Sequence, residues 1–111
     1  IKTEITNKII LVSGAAGSIG SELCRQIIKY NPEKIILLDQ AESPLFDIEN
    51  ELKYKFNRIK SYIADISDKE RILGIFHQES PNIVFHAAAY KHVPLMELHP
   101  YEAIKTNSPQ Q

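Results

Sequence analysis

The chain has 111 residues, 43% hydrophobic and 24% charged, with 13 Lys and Arg against 14 Asp and Glu for a net charge of −1. That length supports one domain around one core, and charges of both signs scattered along it argue against a nucleic-acid or membrane-surface partner. A single cysteine, Cys24, excludes a disulfide framework and makes a reducing, cytoplasmic compartment the expected one, while no apolar run approaches the roughly 20 residues that span a bilayer.

Strand-length apolar runs alternate with amphipathic stretches four times. The first, Lys8-Ile9-Ile10-Leu11-Val12-Ser13, is continuous rather than alternating, as in a parallel strand buried on both faces. Ile19, Leu23, Ile27 and Ile28 then fall at helical spacing between Ser18 and Tyr30, and Asn31-Pro32 ends that helix. A second strand, Lys34 to Asp39, precedes a helix expected from about Ser43 as N-cap, with Pro44 at its first position, to about Tyr54. Leu45, Ile48 and Leu52 form that helix's apolar face. The third strand runs Arg58 to Ala64, followed by a helix from about Ser67 to Glu79 with Ser67 and Glu70 as a capping box. The fourth is Asn82 to His86, with a helix expected around Leu95 to Thr106. This alternation predicts an α/β fold, a Rossmann-type doubly wound parallel sheet of four strands in order 3-2-1-4 with flanking helices. The ligand crevice then opens between strands 1 and 4, beyond their carboxyl ends.

The chemistry-bearing residues all fall at that crevice. Gly14-Ala15-Ala16-Gly17-Ser18-Ile19-Gly20 joins the first strand to the first helix. Gly14 lets the chain turn, Gly17 lets backbone approach a pyrophosphate, and Gly20 lets the helix pack close to the sheet. The amides at the helix start, around Ser18 and Ile19, offer N–H groups and a positive dipole end to phosphate. Asp39, 19 positions after Gly20, can accept from both adenine-ribose hydroxyls and repels a 2′-phosphate, which favours NAD over NADP; its other reading is a cap for the next helix. Gln40 follows it, and no Arg or Lys lies between Gln40 and Asn50 to receive that phosphate. Asp65, with the backbone of Ile66, can meet the adenine edge or simply shape its loop. Ala87, Ala88 and Ala89 leave room for a ribose against the backbone, or pack a strand end tightly. Lys91 can reach the nicotinamide ribose or lie solvated. His86 reads as a core histidine and Cys24 as inert packing, and no histidine pair has metal-ligand spacing, so no metal is expected.

The stretch from Gly14 to Ile27 resembles the opening of the extended short-chain dehydrogenase/reductase family. The later run His86-Ala87-Ala88-Ala89-Tyr90-Lys91-His92-Val93-Pro94-Leu95-Met96-Glu97, with Glu102-Ala103-Ile104-Lys105-Thr106-Asn107, resembles its nucleotide-sugar 4,6-dehydratase branch, the CapD-like polysaccharide biosynthesis proteins. The resemblance implies that the glycines hold NAD(P), that the position of Asp39 binds ribose and that of Asp65 adenine. It also places Lys91 and Asn107 close to the cofactor, as in the related UDP-galactose 4-epimerases. The branch converts a UDP-linked N-acetylhexosamine to its 4-keto-6-deoxy form, with hydride leaving C4 for the nicotinamide, water lost across C5 and C6, and hydride returning at C6.

In the family the Thr-Asp-Lys stretch and the Tyr-x-x-x-Lys (or Met-x-x-x-Lys) element lie on later strands and helices, and this sequence is expected to stop before them. With its opening on Ile1 and a tail over 108–111, the chain reads as residues 1–111 of the NAD(P)-binding domain of a longer protein, inactive by itself. The resemblance implies that this parent is a bacterial capsule or polysaccharide enzyme acting on a UDP-sugar, with an inner-membrane anchor in upstream helices. The other readings are part of a UDP-sugar 4-epimerase and a stand-alone dinucleotide-binding module. An unpaired outer edge on the fourth strand implies a homo-oligomer or a covering terminal segment.

Overall fold

Four parallel strands hydrogen-bond in the order β3-β2-β1-β4 in the computed structural model, which describes residues 2–87. The strands are β1 (Ile9–Ser13), β2 (Lys34–Asp39), β3 (Ile59–Ile63) and β4 (Ile83–His86). The helices are α1 (Lys2–Ile5), α2 (Ser18–Ile27), α3 (Glu42–Lys53) and α4 (Lys69–Glu79), and a short 3-10 turn over Ile28–Tyr30 finishes α2. The expected strand order is the observed one. The helix expected around Leu95 to Thr106, the tail over 108–111, and Ala88, Ala89, Lys91 and Asn107 lie outside the described residues.

The continuous apolar runs are explained by burial on both faces. On one face Ile10, Val12, Ile35, Leu37, Ile83 and Phe85 pack with Cys24 and Ile27 of α2 and with Leu45, Ile48 and Leu52 of α3. On the other, Leu11, Ile36, Leu38 and Val84 pack with Ile75 of α4. Side chains alternate between faces along each strand, so the interior residues of the two central strands, Ile10 to Val12 and Ile35 to Leu38, are apolar whichever face they take. Burial pushes the Cys24 thiol's pKa up, which keeps it protonated and unreactive.

Three boundaries differ from expectation. α3 starts at Glu42 with Ala41 as its N-cap, not at Ser43, because the Asp39 carboxylate takes the Ala41 amide at 2.9 Å and starts the helix early. α4 is capped by Asp68, whose Oδ1 accepts from the Arg71 amide at 3.3 Å; Ser67 is instead held back by Asp65, so the Ser67–Glu70 capping box does not form. The sequence reading also had no helix before β1. α1 forms there and drives Ile5 into the core at 2% exposure, with Thr6 Oγ1 donating to the Tyr30 carbonyl at 2.9 Å.

Candidate functional site

The C-terminal ends of β1 and β2 hold the glycine loop from below. The amides of Gly14 and Ala15 both donate to the Leu38 carbonyl, at 2.8 and 3.2 Å, and the Ala16 amide donates to Asp39 Oδ2 at 2.9 Å. Gly14 turns the chain at φ 71°, in the left-handed region where a side chain is strained. Gly20 serves a different need. A Cβ there would stand 1.9 Å from the Gly14 carbonyl oxygen, so α2 seats against the loop only because Gly20 has none.

α2 therefore begins directly over the sheet edge. Its N-cap, Gly17, supplies no side-chain cap. The first amides, of Ser18, Ile19 and Gly20, have no carbonyl one turn back to receive them and carry the helix's positive dipole end. At Gly17 a Cβ would meet only the Gly14 oxygen, at an ordinary 3.6 Å. Internal packing thus asks for glycine at position 20 but not at 17; a ligand lying on the loop would ask for it there.

A crevice of about 290 Å³ opens in front of these amides, lined by Gly14, Gly17, Ser18, Ile19, Leu38, Asp39, Gln40, Ala64, Ile66 and Ala87. Eight of the residues singled out from sequence meet in it. Two others, Leu38 and Ala64, were missed: each is the apolar residue just before a strand-end aspartate, and that position was the available signal. Ile19, expected to join the helix's apolar face, is instead 42% exposed, and Ile66 is 37% exposed, so two aliphatic side chains sit at the crevice where flat rings could lie against them. Asp65 is not part of the lining. Its Oδ1 accepts from the Ser67 amide and hydroxyl at 2.9 and 2.8 Å, and these bonds hold its pKa below the usual carboxylate range.

Asp39 fulfils the helix-start reading and also lines the crevice. One oxygen takes the Ala16 amide of the glycine loop and the other takes the Ala41 amide that starts α3, while the side chain stays half-buried on the crevice wall. Each carboxylate oxygen has a second lone pair left for a ligand hydroxyl.

Between β1 and β4, the Ala87 amide donates to the Ser13 carbonyl at 3.0 Å and Ser13 Oγ lies 2.5 Å from His86 Nδ1. Ser13 is buried, and burial lowers the His86 pKa, which favours the neutral imidazole. His86 is thus a partnered histidine within the sheet, as read from sequence. Among the described residues, no three His, Cys, Asp or Glu side chains gather as a metal site, and no helix is long and apolar enough to cross a membrane.

A parallel sheet in the order 3-2-1-4, with a glycine loop feeding a helix at its switch point, defines a Rossmann-type fold of the kind shared by sugar-nucleotide epimerases and dehydratases. Over residues 10–109 the chain matches the family described as polysaccharide biosynthesis protein, and it belongs to that family. It is 53% identical over 110 residues to the capsular polysaccharide biosynthesis protein CapD of Staphylococcus aureus, a match covering 96% of this chain and 18% of CapD. To a UDP-N-acetylglucosamine 4,6-dehydratase (inverting) of Campylobacter jejuni it is 37% identical over 101 residues, covering 90% of this chain and 29% of that protein. The chain therefore spans under a third of the length of either relative. Among solved structures, a UDP-Glc/GlcNAc 4-epimerase from Campylobacter jejuni superposes with TM-score 0.66 at 28% identity, covering 88% of this chain and 27% of that one. A short-chain dehydrogenase from Leptospira borgpetersenii, solved with bound NAD+, superposes with TM-score 0.62 at 27% identity over 82% of this chain and 35% of that one.

Proposed function

We propose that this chain is the NAD-binding part of a nucleotide-sugar 4,6-dehydratase that converts a UDP-N-acetylhexosamine to its 4-keto-6-deoxy form, with the acid/base residues supplied from outside this stretch. The observation that carries the reading is the uncapped start of α2, seated by Gly20 and opening on a crevice walled by Asp39. The amides of Ser18, Ile19 and Gly20 hold the pyrophosphate, and Gly17 keeps a side chain out of its way. Asp39 accepts the adenine-ribose hydroxyls, with Gln40 beside it. Ala64 and Ile66 flank the adenine, and Asp65 shapes the turn that presents Ile66. Ala87, with Ala88 and Ala89, leaves room for the nicotinamide ribose, toward which Lys91 and Asn107 are assigned. When bound, the nicotinamide supplies reversible redox chemistry at C4 of the sugar.

Asp39 also sets the choice of cofactor, since a 2′-phosphate would bring negative charge against its carboxylate. Calorimetric titration of the full-length protein should give NAD at least tenfold tighter binding than NADP; equal affinity, or a preference for NADP, overturns the assignment. The likeness to the 4-epimerase structure favours a second reading, a UDP-sugar 4-epimerase. Mass analysis after incubation with UDP-N-acetylglucosamine separates the two: a dehydratase product has lost one water, an epimerised product has the same mass. The bacterial cytoplasm, where nucleotide sugars are used, is the assigned location, with assembly into a homo-oligomer and an inner-membrane anchor elsewhere in the protein.

A further inference from the structure

We infer that Asp39 has a second task, distinct from touching the ribose: it is the positioning residue that sets the glycine loop in its phosphate-receiving shape before any cofactor arrives. This rests on the NAD-binding reading above. The glycine loop is short of partners of its own, because it must leave the amides at the start of α2 open. Its conformation is instead fixed from β2. The Leu38 carbonyl takes the Gly14 and Ala15 amides, and the Asp39 carboxylate takes the next amide, Ala16, at 2.9 Å. The same carboxylate takes the Ala41 amide at 2.9 Å, so the side chain cannot swing toward a ligand without releasing the start of α3. It is braced on both sides. Three consecutive loop amides are thereby tied to two consecutive residues at one strand end, and the one charge-assisted tie comes from Asp39.

A residue that only recognises the ribose and a residue that also shapes the loop predict different outcomes. The full-length protein carrying Asp39→Ala, and Asp39→Asn as the closest variant in shape, should be compared with the wild type by two measurements. The first is hydrogen exchange of the peptide spanning residues 14–20 without cofactor, with a peptide from α4 as the internal reference. Loss of the clamp should speed exchange in the loop peptide by about tenfold in Asp39→Ala and leave the α4 peptide unchanged, the effect expected for a hydrogen bond to a charged group. The second is the affinity for an NAD analogue whose adenosine ribose lacks both the 2′- and 3′-hydroxyls. Asp39→Ala should bind this analogue about tenfold more weakly than the wild type does, although it offers the carboxylate nothing to accept from. Unchanged loop exchange in both variants, or equal affinity of wild type and Asp39→Ala for the analogue, overturns the inference. Failure of the wild type to bind NAD at all would defeat the functional reading instead, while the exchange measurement still decides whether the clamp exists.

Discussion

A carboxylate stands at each end of β2, its own Asp39 at one and Glu79 of α4 at the other, and the two are held in opposite ways. At its C-terminal end Asp39 is gripped only by backbone amides, those of Ala16 and Ala41, and stays half-buried on the wall of the crevice. At its N-terminal end Lys34 reaches Glu79, the last residue of α4, at 2.7 Å; the phenol of Tyr62 donates to the same carboxylate, Lys60 lies 3.5 Å away, and the Glu79 side chain is left only 3% exposed. Amides supply partial charges and leave the carboxylate's anionic character and spare lone pairs available to a ligand. Cations neutralise it and a phenol completes its hydrogen bonding, so nothing remains to recognise. The first arrangement suits binding and the second suits fastening a helix to a sheet.

The sharpest way to break this division is at the crevice end. In Gly20→Ala the new methyl would stand 1.9 Å from the Gly14 oxygen and 2.7 Å from its carbonyl carbon, both backbone atoms that cannot rotate aside. α2 must lift from the loop, and we expect a loss of about 3 kcal/mol of stability together with loss of detectable NAD binding, read by denaturant unfolding and calorimetry. Wild-type stability with retained binding would show that the contact between α2 and the loop does not hold the site.

At the other end Glu79→Ala removes the acceptor for Lys34 and Tyr62 and should cost about 2 kcal/mol, since Lys34 is partly exposed and recovers water. NAD affinity should stay within about twofold, as no part of this cluster lines the crevice. The pH dependence has a definite sign. Burial alone would raise the Glu79 pKa, but the hydrogen bonds from Lys34 and Tyr62 outweigh it and hold the carboxyl below its ordinary value of 4.5. A carboxyl whose pKa is lowered by folding stabilises the fold above that ordinary value, and the contribution is lost as pH falls through the folded value. Tyr62, raised above 10.0 chiefly by burial and then by its bond to Glu79, acts in the other direction: its contribution is present below pH 10 and lost as pH rises through the folded value. Melting curves across pH should lose the acid-side dependence in Glu79→Ala and keep a weakened alkaline one, since burial is the larger cause at Tyr62; persistence of the acid-side loss unchanged would assign it to other carboxyls.

The same contrast explains what could be read from sequence. The crevice end was legible because backbone function imposes residue types at fixed places: glycines at 14, 17 and 20, an acid closing the second strand, small residues closing the fourth. The strand order followed from continuous apolar runs and their alternation with helices. The Glu79 cluster was not legible, because Lys34, Tyr62 and Glu79 are ordinary surface residue types and only tertiary packing brings the three elements together. Helix starts were misplaced for a related reason. Asp39 and Asp65 bond to amides two residues ahead, at Ala41 and Ser67, and these local turns compete with the nearby Ser and Pro signals that motivated the later or different caps. Ile19 fits the helical period of the core face, but it sits at the helix start where that face runs out over the crevice.

The smallest expected effect tests whether the two ends of β2 are independent. Gly74 lies inside α4, and a Cβ there would meet nothing within 4 Å. Since glycine in a helix interior is less favourable than alanine by about 0.5–1 kcal/mol, Gly74→Ala should stabilise the protein by that amount, seen as a higher denaturant midpoint at an unchanged slope. Stiffening α4 tightens the element that Glu79 fastens and that packs through Ile75 on the Leu11, Ile36 and Leu38 face. Leu38 is also the residue whose carbonyl holds the Gly14 and Ala15 amides. If the fastening end and the binding end are separate, NAD affinity in Gly74→Ala is unchanged. A shift in affinity that tracks the gain in stability would mean that Leu38 transmits the seating of α4 to the glycine loop, and the division between the two ends would have to be replaced by a coupled sheet.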